Sequence, residues 1–120
     1  MRRVIIAGSR MLPSTVIEET EMCQWVAKAI ELFEPDVVLC GDAKGIDALG
    51  NNVACAHKIP VEHYPADWDK FGKRAGFIRN EQMAKNATDL WLIWDGKSAG
   101  SKMMKNLAIQ YGLVVLEYVV

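Results

Sequence analysis

The chain has 120 residues, 51% hydrophobic and 24% charged, which suits one globular domain around one core and excludes a disordered chain. A formal net charge of −1 and a pI near 6.1 argue against a protein that coats nucleic acid through bulk electrostatics. No apolar run is long enough to cross a bilayer, and Val4 to Ala7, behind Met1-Arg2-Arg3, is too short for an export segment. Cys23, Cys40 and Cys55 show neither an even count nor metal spacing, so reduced thiols in a cytoplasm are expected.

Arg3-Val4-Ile5-Ile6-Ala7 reads as a first buried strand, closed by Gly8-Ser9-Arg10. A helix follows, with Ser14 as its N-cap after Pro13 and with Glu18 and Glu19 near its first turns. Met22, Trp25, Val26, Ala29, Ile30 and Phe33 form its apolar stripe, and Pro35 stops it. Val37-Val38-Leu39 is a second strand, joined by Cys40 to Asp47 to a helix from about Ile46 to His57. Ile46, Leu49, Val53 and Ala56 carry that helix's apolar spacing.

Ile59 to Tyr64 alternates as a third strand, with Pro60 near its start, where a strand tolerates it. Pro65 to Lys73 reads as a loop with two aromatics among charges, and a third helix covers roughly Arg74 to Asn86. Leu90 to Trp94, apolar throughout, is a fourth and central strand. Asp95 to Ser101 is a second glycine-containing strand–helix joint. The last helix buries Met104, Leu107, Ala108 and Tyr111, Gly112 caps it, and Leu113 to Val120 supplies a fifth strand.

Alternating strands and helices, with strands apolar on both faces, predict an α/β fold: a three-layer domain over residues 1–120 whose parallel sheet carries helices on both sides. With strand order 3-2-1-4-5, ligands are expected beyond the carboxyl ends of the strands, beside the point where the order reverses. The trailing loops of strands 1, 2 and 4 are Gly8-Ser9-Arg10, Gly41 to Asp47 and Asp95 to Ser101, the most glycine- and polar-rich joints in the chain.

Each joint has two readings. Gly41 and Gly45 let the backbone approach a ligand, and the N–H groups of the following helix favour an anion; alternatively the stretch is a plain turn with Asp47 answering the helix dipole. Arg10 meets a ligand or forms a surface ion pair. Ser98 donates to a phosphate or simply caps the last helix. Trp68 stacks on a base or folds onto the protein's own surface. Asn80 shares a helix face with Met83, Ala84 and Ala87, and with Arg79 it either reaches the site or caps a neighbouring loop. Lys44 lies among basic residues on the expected rim, where Asp42, Asp47, Asp67, Asp69 and Asp95 also fall; the mixture suits phosphate plus ribose better than phosphate alone. His57 and His63 have no partner at ligand spacing, and no zinc, Ser-His-Asp or Cys-His set is visible.

Val4 to Arg10 followed by Cys40-Gly41-Asp42-Ala43-Lys44-Gly45-Ile46-Asp47 resembles the SLOG superfamily, the Rossmann-like group that includes DprA and the LOG proteins. Tyr64 to Trp68, Lys70 to Gly76, Arg79-Asn80 and Trp94 to Ser101 are similar to its YspA-type branch, and the similarity runs from about Arg3 to Val115. The resemblance implies a Rossmann-like fold that binds nucleotides or nucleotide-derived molecules, NAD-derived signals among them, through Gly8, Ser9, Arg10, Gly41, Ala43, Gly45, Asp47, Arg79, Asn80, Gly96, Ser98, Gly100 and Ser101. It also implies association into homodimers or homotetramers. Two residues depart from the pattern: Asp42 stands where the family usually has a second glycine, and Gly100-Ser101 is followed by Lys102-Met103-Met104-Lys105 rather than a glutamate.

The expectation is therefore a cytoplasmic module that senses or sequesters a nucleotide-derived ligand without a metal. A LOG-type N-glycosidase is the enzymatic alternative, with Asp47 or Asp95 replacing the missing glutamate, because an oxocarbenium-like transition state needs a carboxylate beside it. A DprA-like nucleic-acid or protein adaptor is the third reading, with nucleic acid disfavoured by the pI.

Overall fold

A computed structural model describes residues 1–8, 16–41 and 46–119, with the side chains of residues 16–22 and 47 left aside. Five parallel strands form one sheet in the order β3-β2-β1-β4-β5. They are β1 (Arg3–Gly8), β2 (Val37–Cys40), β3 (Val61–His63), β4 (Asp89–Trp94) and β5 (Val114–Val119). The helices are α1 (Val16–Phe33), α2 (Ile46–Ala56), the short α3 (Trp68–Phe71), α4 (Ala75–Asn86) and α5 (Ala99–Gln110), with a 3₁₀ turn at Gly72–Arg74.

Side-chain alternation along the strands divides the core into two layers. Val4, Ile6, Val38, Cys40, Trp91 and Ile93 face α1 and α2, where Val26, Ala29, Phe33, Leu49 and Ala54 meet them. Ile5, Ala7, Val37, Leu39, Leu90, Leu92 and Trp94 face the other way, onto Met83 and Ala84 of α4 and Met104, Leu107 and Ala108 of α5. The α2 helix lies tight against β1 because Gly50 carries no side chain: a Cβ there would stand 2.7 Å from the Ile6 side chain. The strands read as apolar on both faces are therefore covered on both, from β2 through β4.

Several details differ from the sequence reading. The third strand is only three residues long and follows Pro60. The stretch read as a loop after Pro65 contains α3, whose first turn is closed by Asp67 accepting the Lys70 backbone N–H at 3.1 Å. Ala54, not Ala56, is the buried alanine of α2. Tyr111 lies past the end of α5, 37% exposed rather than buried. Finally, β5, at the edge as the expected order has it, is largely exposed rather than covered on both faces. Ser14 lies outside the described residues, as do the side chains of Glu18, Glu19 and Met22.

Two polar clusters tie the edges to the middle. Arg3 of β1 grips Glu62 of β3 with both terminal nitrogens, at 2.9 and 2.6 Å, and its Nε donates to the Asn86 carbonyl at the end of α4. Tyr64 donates to the same Glu62 at 2.8 Å. On the other side, Glu117 of β5 accepts from Lys105 of α5 at 2.7 Å and from the Trp94 indole at 2.9 Å.

Candidate functional site

The ends of β2, β1 and β4 lie side by side, so the joints that follow them leave from one rim of the sheet. Gly8 marks its centre. A Cβ on Gly8 would stand 1.9 Å from the Ile93 carbonyl oxygen and 2.8 Å from Ile46, the first residue of α2. Only glycine lets the end of β1, the β4 backbone and the start of α2 meet this closely. The consequence is that the N-terminus of α2, whose first N–H groups have no acceptor within the helix, is seated over the place where strand order reverses.

Beside it, Gly41 leaves β2 with a buried backbone whose carbonyl accepts from Nη1 of Arg79. Arg79 is itself buried in α4, and its Nε donates to Asn80 Oδ1 at 2.8 Å. Asn80, Met83 and Ala84 are buried together on the face of α4 that meets the sheet, as their spacing predicts. A buried guanidinium is expensive to desolvate unless its donors are used. Here it is spent on a carbonyl and an amide oxygen, and it fixes the exit of β2 against α4.

The third joint is shaped by Asp95. Its Oδ1 accepts the backbone N–H groups of Lys97 at 2.8 Å and Ser98 at 2.9 Å, while Gly96 adopts φ of +80°, a region that favours glycine. Those two N–H groups, Lys97 first, hold the Asp95 carboxyl below the usual carboxylate range. Ser98 occupies the N-cap of α5 without a side-chain capping bond, so Asp95 rather than Ser98 closes this turn. A Cβ on Gly100 would meet nothing within 4 Å, and Ser101 is buried in the first turn of α5.

Gly8, Gly41, Arg79, Asn80, Gly96, Ser98, Gly100 and Ser101 thus fall at or behind the strand ends. Ser9, Arg10, Ala43, Lys44 and Gly45 lie outside the described residues, as does the Asp47 side chain. Trp68 is half-exposed in α3 and lies next to Gly76, where a Cβ would stand 3.6 Å from its ring. Cys40 is buried in the core layer under α1 and α2. His57 bonds its own helix through the Val53 carbonyl at 2.9 Å. Among the described residues, no three His, Cys, Asp or Glu side chains stand close enough to hold a metal ion, and no helix is long and apolar enough to cross a membrane.

One feature escaped the sequence reading. A cleft of about 270 Å³ opens beside Arg79, lined by Pro65, Lys70, Phe71, Ile78 and Gln82. The i, i+4 spacing of Ile78 and Gln82, with Arg79 between them, was the available signal, but its other wall is the short α3, which no periodicity reveals.

No family model matches the chain. Over 98% of its length it is 31% identical to Gene 61 protein of Mycobacterium phage D29, of which it covers 97%. In structure it is similar to DNA processing protein A (DprA) from Streptococcus pneumoniae, with a TM-score of 0.73 at 20% identity over 97% of this chain. The chain spans about half the length of that protein, 50%, and at this identity the likeness speaks for the fold alone: a Rossmann-like α/β sheet. Matched across nearly all of both sequences, the chain belongs to the family of Gene 61 protein of Mycobacterium phage D29.

Proposed function

We propose that the protein binds a nucleotide or nucleotide-derived ligand, of the NAD or ADP-ribose kind, at the carboxyl rim of its sheet. It acts there as a cytoplasmic sensor or sequestering module of the YspA-type branch, built as a single domain. The observation that carries the reading is the seating of the α2 N-terminus over Gly8, between the exits of β2 and β4. Such a terminus offers N–H donors and a favourable field to phosphate. The Asp95 turn brings a second helix N-terminus, that of α5, behind the same strand ends.

Turnover by a LOG-type route receives less support. Asp95 is the described candidate to replace the missing glutamate, and its Oδ1 is already engaged by two backbone N–H groups that keep it ionised. A carboxylate whose oxygen is already held by its own turn is poorly placed to stand beside an oxocarbenium-like transition state.

Thermal denaturation against nucleoside mono- and diphosphates, NAD and ADP-ribose tests the binding reading. A ligand at a hundredfold excess over its Kd adds about 2.7 kcal/mol, which appears as a Tm rise of several degrees. No shift with any of these compounds removes the reading. Release of free base from a nucleoside monophosphate, followed by chromatography, would replace it with the enzyme.

The likeness to DprA favours a second reading, an adaptor for single-stranded DNA. It predicts a gel shift whose affinity falls steeply as salt rises. The absence of a shift at low salt excludes it.

A further inference from the structure

We propose that two copies of the chain join along β5, pairing antiparallel about a two-fold axis at Leu116 with the flank of α1 covering the seam. The strand is the open edge of the sheet, in unbroken register with β4 from Asp89 opposite Val114 to Trp94 opposite Val119. Proteins normally blunt such an edge with lysine, proline, a bulge or a very short strand. The opposite edge is blunted: β3 has three residues behind Pro60, and its Glu62 is tied to Arg3. The β5 edge has none of these devices along its six residues.

Its side chains are equally unprotected. Val114, Leu116 and Tyr118 alternate onto the α1 side and are 53%, 41% and 41% exposed. Tyr118 lies against Trp25 of α1, with ring centroids 4.0 Å apart. Two turns further along that flank of α1, Leu32 is 59% exposed. The result is one apolar face made by a strand and the helix beside it, a composition that homodimer interfaces share.

Charge selects a second copy as the occupant. The strand's sole ionisable carboxylate, Glu117, points to the other side and is neutralised by Lys105, with Trp94 as a further donor. A two-fold at Leu116 sets Val114 opposite the second copy's Tyr118 and Glu117 opposite its Val115. Small therefore meets large, and no like charges face each other. The same pairing satisfies the outward N–H and C=O groups of both edges at once.

Sedimentation equilibrium of the full chain across the micromolar range tests this, with hydrogen exchange of the β5 amides read in parallel. The expected mass is twice 13.4 kDa, falling to the monomer value for Leu116→Lys and for Val114→Lys while the far-UV circular dichroism stays unchanged. Protection of the β5 amides in the unsubstituted chain is expected to rise with concentration, a readout that holds even if a variant fails to fold. A monomer at every concentration overturns the proposal. So does a dimer that both substitutions leave intact, or β5 protection that ignores concentration.

Discussion

Among the glycines whose surroundings are described, Gly8 is the one where a single methyl group meets the closest contact. Its added Cβ would meet the Ile93 backbone oxygen at 1.9 Å, and a carbonyl in the middle of a parallel ladder cannot swing aside as a flexible side chain can. Gly8→Ala should therefore exceed the usual 1–3 kcal/mol cost of overpacking, roughly, and urea unfolding should show either a large loss or no cooperative transition. Gly100→Ala is the control, since its Cβ meets nothing within 4 Å. Arg79 presents the opposite problem, a group whose removal leaves others stranded. Arg79→Met keeps the aliphatic stem but orphans the buried Gly41 carbonyl, a loss of about 1–3 kcal/mol. Arg79→Lys should restore little of it, because a single ammonium cannot span Gly41 and Asn80 as the forked guanidinium does. Chemical denaturation of the three forms separates these outcomes.

At the scale of elements, the turn after β4 depends on one carboxylate. Asp95→Ala removes the acceptor for two backbone N–H groups and leaves α5 without any side chain closing its first turn, since Ser98 does not cap it. Loss of an N-terminal cap costs about 1 kcal/mol, and exchange of the Lys97 and Ser98 amides should quicken most. Asp95→Asn keeps an acceptor oxygen and should recover much of the protection. The role of Asp95 was half legible in the sequence: Asp-Gly after a strand announces a turn, but whether the carboxylate serves the backbone or a ligand depends on where the chain goes next. The same limit explains what was read well and what was not. All five strands are legible, four as apolar runs between glycine or proline breaks and β3 as a short alternating stretch, and the α4 face of Asn80, Met83 and Ala84 follows from spacing alone. The short α3 was not, because four residues cannot display a 3.6-residue period. Nor was the exposure of β5, since Val-Val-Leu-Glu-Tyr-Val has the composition of a covered strand whether or not a helix or a second chain covers it.

Across the whole molecule, the sheet is held from its two flanks by carboxylates, and that makes its stability depend on pH in a definite direction. The Arg3 guanidinium, with Tyr64 second, holds the Glu62 carboxyl below the usual range; Lys105, with the Trp94 indole second, does the same for Glu117. A carboxyl that ionises more readily in the folded chain than in the unfolded one stabilises the fold at pH values above its unfolded pKa, about 4.3 for glutamate. That contribution is lost as the pH falls through the lower, folded value. Asp95 adds to the same acid limb, near about 3.9 for an unfolded aspartate. Tm should therefore stay level near neutrality and drop as the pH falls through the carboxylate range. Glu117→Gln and Glu62→Gln should each lower Tm at neutral pH and flatten the acid drop, because a glutamine has no proton to gain. The two clusters share no side chain: one fastens β3 to β1 and α4, the other fastens β5 to β4 and α5. The flattening should accordingly be additive in the double variant. A double variant whose Tm still falls as steeply as the unsubstituted protein's would show that acid acts elsewhere, and that these links serve geometry rather than stability.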